Sequence, residues 1–430
     1  MSQTSLWQSV TPAGKSYPSL EEDIQADAII IGAGFTGLST AWHLAGHGLK
    51  VVLLEADTVG FGASGCNNGQ VIPVMTRADP DNLIARFGET GERFVDLVGS
   101  SAQYLFDVVR EAKLVCEAEQ SGWVQPAHSP GRVKAISTSR FRQWQRVGKA
   151  IELLDKSAID ELTGSSFFYG GFMNKTGGHV NPLALARELG RVAAERSVQI
   201  FEHSPAIKYN QTPDGWRVET ENGSVSAGAM VLATNAYSGI TRPGLAPKLA
   251  RSIVPVLSWQ MATQPLTDNI RKSVIPGRQA ISDTQGDLHF FRYDARNRLI
   301  TGGALAVPFK GEQRIKQRIC KRIQKIFPQF TDPKIETISS GYVGITRDHT
   351  PHFHKLGPNG WAWIGCNGRG VALSVSMGRA LADAIFNSEE KNLPFPVTDI
   401  EPIPFQSVIS KIARPFVLTW YRQRDRREIK

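Results

Sequence analysis

Two apolar runs bracket a glycine cluster near the start of the chain. Residues 28–56 read AIIIGAGFTGLSTAWHLAGHGLKVVLLEA. Ala28 to Ile31 is a continuous apolar run, the pattern of a strand buried on both faces of a parallel sheet. Phe35 to His47 follows a helical pattern, and Gly48 fits a C-terminal stop. Val51 to Leu54 is a second apolar strand. The stretch predicts strand, helix, strand.

The same alternation recurs downstream. Residues 177–206 predict a turn, a helix with apolar positions at Leu183, Leu185, Leu189 and Val192, and a short strand. Residues 226–239 predict a buried strand ending in a polar turn, and residues 360–385 a strand, a glycine-rich turn and a helix. Ile315, Ile319, Ile323 and Ile326 fall at helical spacing, with bases on the opposite face.

The first unit carries chemistry. Gly32, Gly34 and Gly37 fit G-x-G-x-x-G: a tight turn, room for a phosphate against the backbone, and close packing of helix on strand. Glu55 closes the second strand. An acid there accepts hydrogen bonds from ribose hydroxyls and repels a 2′-phosphate, which disfavours NADP. The alternative is a glycine-rich turn in an ordinary α/β protein. Strand, helix, strand and acid in register favour a dinucleotide site.

The chain has 430 residues, 41% hydrophobic and 21% charged, enough for two globular domains. No apolar run approaches the roughly 20 residues of a membrane span, and the first residues do not read as a signal peptide. The four cysteines are scattered without a C-x-x-C, which suits a reducing cytosol with no disulfide framework and no metal site. The net charge of +9 is concentrated in two segments. Residues 310–325 carry seven bases and one acid, and residues 411–430 seven bases and two acids. One reading is a solvated amphipathic helix and a solvated tail. The other is attraction to an anionic membrane surface, with Phe416, Leu418, Trp420 and Tyr421 as interfacial groups. No nucleic-acid motif accompanies the charge.

A second glycine-rich loop, DTVGFGASGCNNGQV at 57–71, follows Glu55. Together with HVNPLALARELGRVAAE, LATNAYS, HFFRYDARNRLITGGA (289–304) and GCNGRGVALSVSMGRALADAI, it resembles the FAD-dependent amine and D-amino-acid oxidase superfamily, above all the γ-glutamylputrescine and L-pipecolate oxidase types. The likeness runs in order over about residues 25 to 400.

This resemblance implies an α/β (α+β) fold: a Rossmann-like FAD-binding domain of the glutathione-reductase type with a mixed-sheet substrate domain. The FAD domain would take residues 25–90, 176–240 and 340–400. The substrate domain would take 91–175 and 241–339, with strands near Ile253 to Val256 and Leu299 to Thr301. A basic tail, 401–430, would follow. FAD, held noncovalently, would contact Gly32, Ala33, Gly34, Phe35, Thr36, Gly37, Glu55 and Ala56. It would also contact Gly62, Ala63, Ser64, Asn67, Asn68, Gly69 and Gln70, then Ala233, Thr234 and Asn235, and finally Gly368, Arg369, Gly370 and Val371. Cys66 and Cys366 lie in these loops but do not match the covalent position of some relatives.

The implied activity is oxidation of the C–N bond of a small amino or imino acid, with a γ-glutamylputrescine-type amine oxidase as the alternative. A flavin-binding protein without amine chemistry is the reading of another class. A carboxylate substrate asks for a guanidinium, whose fork binds it bidentately. The candidates are Arg292, Arg369 and Arg347, with Tyr293 closing the pocket. Several oxidases of the family carry His where Arg369 stands. His349 and His352 read as structural or loop histidines. Residues 281–304 lack the lysine that some relatives use with O₂. That gap favours a cytoplasmic dehydrogenase on the inner face of the membrane, passing electrons to a quinone, over an oxidase using O₂.

Overall fold

The computed structural model describes residues 5–75, 77–287, 289–305, 311–387 and 393–429, and within the last helix the side chains of 406, 416 and 418–428. Lys310 and Lys430, the side chains of Lys411 and Arg414, and Leu288 of the lysine-free stretch lie outside the described residues.

Two eight-stranded sheets organise the chain. The first has a parallel centre: Gly360–Ile364, Ser224–Leu232, Ile24–Ile31, Val51–Leu54 and Gln199–Phe201 lie side by side. Ala28 to Ile31 and Val51 to Leu54 are buried throughout, as continuous apolar runs require. The helices Phe35–Gly46, Pro182–Glu195 and Gly370–Asn387 bury their apolar sides together in one cluster against this sheet. Pro182–Glu195 is capped by Asn181, whose side chain accepts from the Ala184 N–H, with Pro182 in the first turn. The first helix ends one residue before the expected His47, which serves as its C-cap.

The second sheet runs Ile335–Ile345, Val254–Pro265, Arg298–Gly303, Phe290–Tyr293, Ala280–Ser282, Trp123–Pro126, Gly171–Asn174 and Ile151–Leu154. Its two faces differ. One packs Val124, Met261, Ile281, Phe291, Tyr293 and Leu299 against Ile315, Ile319, Ile323 and Ile326 of the Gly311–Ile326 helix. The isoleucine stripe of the first basic segment is therefore ordinary core cover. The other face, with Trp123, Phe290, Arg292 and Gln260, turns toward the first sheet's loops.

Position 340 falls inside Ile335–Ile345, a strand of the second sheet. The expected tail contains a helix, Gln406–Ile429. It is anchored by polar contacts: Asp425 accepts the Gly286 N–H at 2.8 Å, and Glu428 pairs with Arg132 at 2.8 Å. Arg422 reaches Asp287 at 3.2 Å, and Arg318 and Arg322 of the isoleucine-striped helix reach the same carboxylate. The two basic segments thus converge on Asp287. Phe416 and Trp420 face solvent, 71% and 57% exposed, while Tyr421 and Leu418 are half-buried. Among the described residues no helix is long and apolar enough to cross a membrane.

Candidate functional site

The glycine turn forms as its spacing demands. Gly32 sits at φ +107°, a conformation L side chains avoid. A Cβ on Gly37 would lie 2.0 Å from the Gly32 carbonyl oxygen, so helix and strand touch only because it is glycine. Gly34 provides no side-chain cap for the Phe35–Gly46 helix; the Phe35 N–H donates instead to Ser64 Oγ at 3.0 Å. A helix start of this kind offers N–H donors and positive potential to a pyrophosphate. Glu55 accepts from the Ala33 N–H at 2.7 Å and from the Asp57 N–H at 3.1 Å. Burial raises its pKa, and these two N–H bonds oppose the rise.

From this turn a cleft runs to the polar-and-apolar face of the second sheet. Gly32, Ala33, Gly34, Phe35, Thr36, Glu55 and Ala56 line its start. Gly62, Ala63, Ser64, Asn67, Asn68 and Gln70 line it further on, with Ala233, Thr234, Asn235, Gly368, Gly370 and Val371. Three predicted residues do not line it. Gly37 is packed under the turn, Gly69 lies against the Arg292 guanidinium, and Arg369 is buried beside the Trp123 ring, between the lining residues Gly368 and Gly370. The cleft suits FAD on its own terms: an acid placed for ribose, a helix start for the pyrophosphate, and a long extension walled by two sheets. A separate cleft of about 980 Å³, lined by Asp96, Tyr104 and Arg379 among others, shares no lining residue with this one.

The sequence reading missed the wall contributed by the second sheet: Ser258, Gln260, Phe290 and Val343, together with Tyr237 and Cys366. All four sheet residues are uncharged. Phe290 stands in the quoted HFFRYD motif, where strand alternation would have shown it.

The predicted substrate residues separate. Arg292 is 1% exposed, and its N–H groups donate to the carbonyls of Asn68 (2.6 Å), Tyr293 (2.8 Å) and Val180 (2.9 Å). It is committed to backbone and not offered to a substrate carboxylate. Tyr293 faces the apolar layer behind the sheet, its hydroxyl donating to the Val274 carbonyl at 2.7 Å. Adjacent strand residues point to opposite faces, so Arg292 and Tyr293 cannot share one pocket. Arg347 is exposed on the turn after Ile335–Ile345. Arg369 is 3% exposed, between cleft-lining Gly368 and Gly370, its guanidinium 5.5 Å from the Trp123 ring centroid. Burial pushes its pKa down to about 9, helped by the Arg140 charge, and it remains a cation at neutral pH. His349 contacts Arg77 on the turn after Ile335–Ile345, and His352, which opens the strand His352–Gly357, contacts Asp348.

All four cysteines are free. Burial pushes the Cys66 and Cys366 thiols up, which disfavours the reactive thiolate. His128, Asp425 and Glu428 lie within metal-ligand spacing, but Arg132 and Arg424 already occupy the carboxylates, which makes the cluster an ion-pair network.

Comparison with known proteins agrees with this geometry. The family described as FAD dependent oxidoreductase (DAO) matches residues 27–384. A probable oxidoreductase, OrdL, from Haemophilus influenzae is 29% identical over 412 residues, 95% of this chain and 94% of its own. The γ-glutamylputrescine oxidoreductase of Escherichia coli is 28% identical over 404 residues, 91% of this chain and 93% of its own. The crystal structure of glycine oxidase from Geobacillus kaustophilus superposes with a TM-score of 0.72 at 18% identity, covering 87% of this chain and 98% of that one.

Proposed function

The chain belongs to the DAO family of FAD-dependent oxidoreductases, and from that premise we propose that it oxidises the C–N bond of a small amino or imino acid to the imine. The observation that carries this reading is a buried cation, Arg369, set between two glycines of a cleft whose second-sheet wall is uncharged. The chemistry a bound FAD supplies is acceptance of a hydride equivalent at N5 from the carbon beside a neutral amine, leaving an imine for water to hydrolyse.

The residues divide the work along the cleft. Glu55 would accept the ribose hydroxyls. The N–H groups at the start of Phe35–Gly46 would hold the pyrophosphate. The start of Gly370–Asn387 would offer positive potential to the flavin as it gains negative charge. Arg369 would take the substrate carboxylate, a guanidinium fork matching the two carboxylate oxygens. Ser258, Gln260, Phe290 and Val343 form a neutral wall that excludes water and favours the uncharged amine. The raised thiols of Cys66 and Cys366 support noncovalent FAD. The test is whether such substrates discharge the flavin colour in the absence of oxygen.

A second substrate reading, a γ-glutamylputrescine-type amine oxidase, is supported by the 28% identity to that enzyme across most of both chains. For electron delivery we propose a respiratory quinone as acceptor in preference to O₂, because residues 281–304 hold no lysine. The face formed where the two basic segments meet would bring the enzyme to the anionic inner surface of the cytoplasmic membrane. Phe416 and Trp420 are exposed beside it.

A further inference from the structure

We propose that Trp7 is a positioning residue for the flavin-facing loop 62–70, acting through the carbonyl of Asn67 and the guanidinium of Arg292. Trp7 lies outside the span matched by the family, yet its side chain is fully buried. Its indole Nε1–H donates to the Asn67 carbonyl at 2.7 Å, and its ring lies 4.5 Å from the Arg292 guanidinium carbon.

The loop is held from one side at three carbonyls. Gly65 O accepts from Ser5 Oγ at 2.7 Å, Asn67 O from Trp7, and Asn68 O from Arg292 Nε at 2.6 Å. Inside the loop the Asn67 amide donates to the Ala63 and Ser64 carbonyls, and its oxygen accepts the Gly69 N–H. In a trans peptide the carbonyl of one residue and the N–H of the next point in opposite directions. Holding the Asn67 carbonyl toward Trp7 therefore turns the Asn68 N–H away from it, in a loop whose Asn67 and Asn68 line the cleft. A donor presented to a ring that gains negative charge makes its reduction easier. Leu6 and Trp7 also pack with Leu183, Ala262 and Ile300, so the segment is fixed to the second sheet as well as to the loop.

Packing alone would not need an indole. Phenylalanine fills most of the same space but has no N–H to give. The test is therefore Trp7→Phe, compared with Val10→Ala, a neighbour in the same apolar cluster that bonds nothing in the loop. Three properties of the holoenzyme are read: FAD dissociation on dilution, the visible flavin spectrum, and the flavin midpoint potential. Trp7→Phe should weaken FAD about fivefold, the loss of one net hydrogen bond, shift the absorption envelope and lower the midpoint potential. Val10→Ala should lower the melting temperature and leave all three flavin properties alone. Unchanged affinity, spectrum and potential in Trp7→Phe would overturn the proposal. So would equal flavin effects in Val10→Ala, because packing would then account for both. None of these readouts needs a substrate, so they are independent of the amine reading.

Discussion

Arg292 and Tyr293 are neighbours in sequence on opposite faces of the second sheet. Arg292 Nε donates to the Asn68 carbonyl on the cleft side, and the Tyr293 hydroxyl donates to the Val274 carbonyl in the apolar layer behind. The strand thereby joins the cleft-lining loop to the core that supports it.

Arg292 is accordingly expected to govern stability and FAD retention. Arg292→Ala removes donors from three buried carbonyls, a loss of about 3 kcal/mol once relief of the buried charge is set against it. Melting temperature and FAD content should fall, while the preference for an acid substrate over its amide should stay. A stable variant that lost that preference would make Arg292 the carboxylate partner after all.

Arg369 should show the opposite pattern. Arg369→Ala should leave the fold near wild type and weaken anaerobic flavin reduction by an amino acid by roughly 2–5 kcal/mol, the range for breaking a desolvated charge pair. Reduction by the matching amide should change little. Equal losses for acid and amide would count against this assignment.

FAD binding should depend on pH through Glu55. Its pKa is raised by burial, so it takes up a proton at higher pH than a free carboxyl. The ionised form accepts the ribose hydroxyls, so affinity is full above the raised pKa and falls as pH drops through it. Glu55→Gln should bind about tenfold more weakly, by about 1–1.5 kcal/mol, and show no such fall. Denaturing acid should leave the flavin in the supernatant; colour retained by the pellet would indicate covalent attachment despite the raised Cys66 and Cys366 thiols.

The glycine turn of this candidate site was legible in the sequence because its constraints are local. Gly32, Gly37 and Glu55 lie within one strand–helix–strand unit, and each position requires a particular residue type. The substrate half was not, because Ser258 and Gln260, Phe290, and Val343 come from three strands brought together only by sheet register. The opposed faces of Arg292 and Tyr293 followed from strand alternation. The commitment of Arg292 to the Asn68 and Val180 carbonyls depended on loops more than a hundred residues away. The C-terminal helix was hidden for a similar reason: its anchors, Gly286 and Arg132, are tertiary.

Membrane docking predicts salt-sensitive binding. The holoenzyme should co-sediment with anionic vesicles at low ionic strength and less so at high, since screening weakens exposed charges. Trp420→Ala and Phe416→Ala should each weaken binding by roughly 1–2 kcal/mol through lost apolar burial. Absence of binding to anionic vesicles at low salt would return the joined basic face to plain solvated surface.

The central claim, oxidation of an amine that carries a carboxylate, is tested most directly by anaerobic titration of the yellow holoenzyme, followed at the flavin absorption band. The panel would comprise cyclic imino acids, N-methyl amino acids, D-amino acids and acylated polyamines. At least one compound bearing both an amine and a carboxylate should bleach the band, and its amide should do so less well. A flavin that dithionite reduces but every member of the panel leaves oxidised would contradict the account.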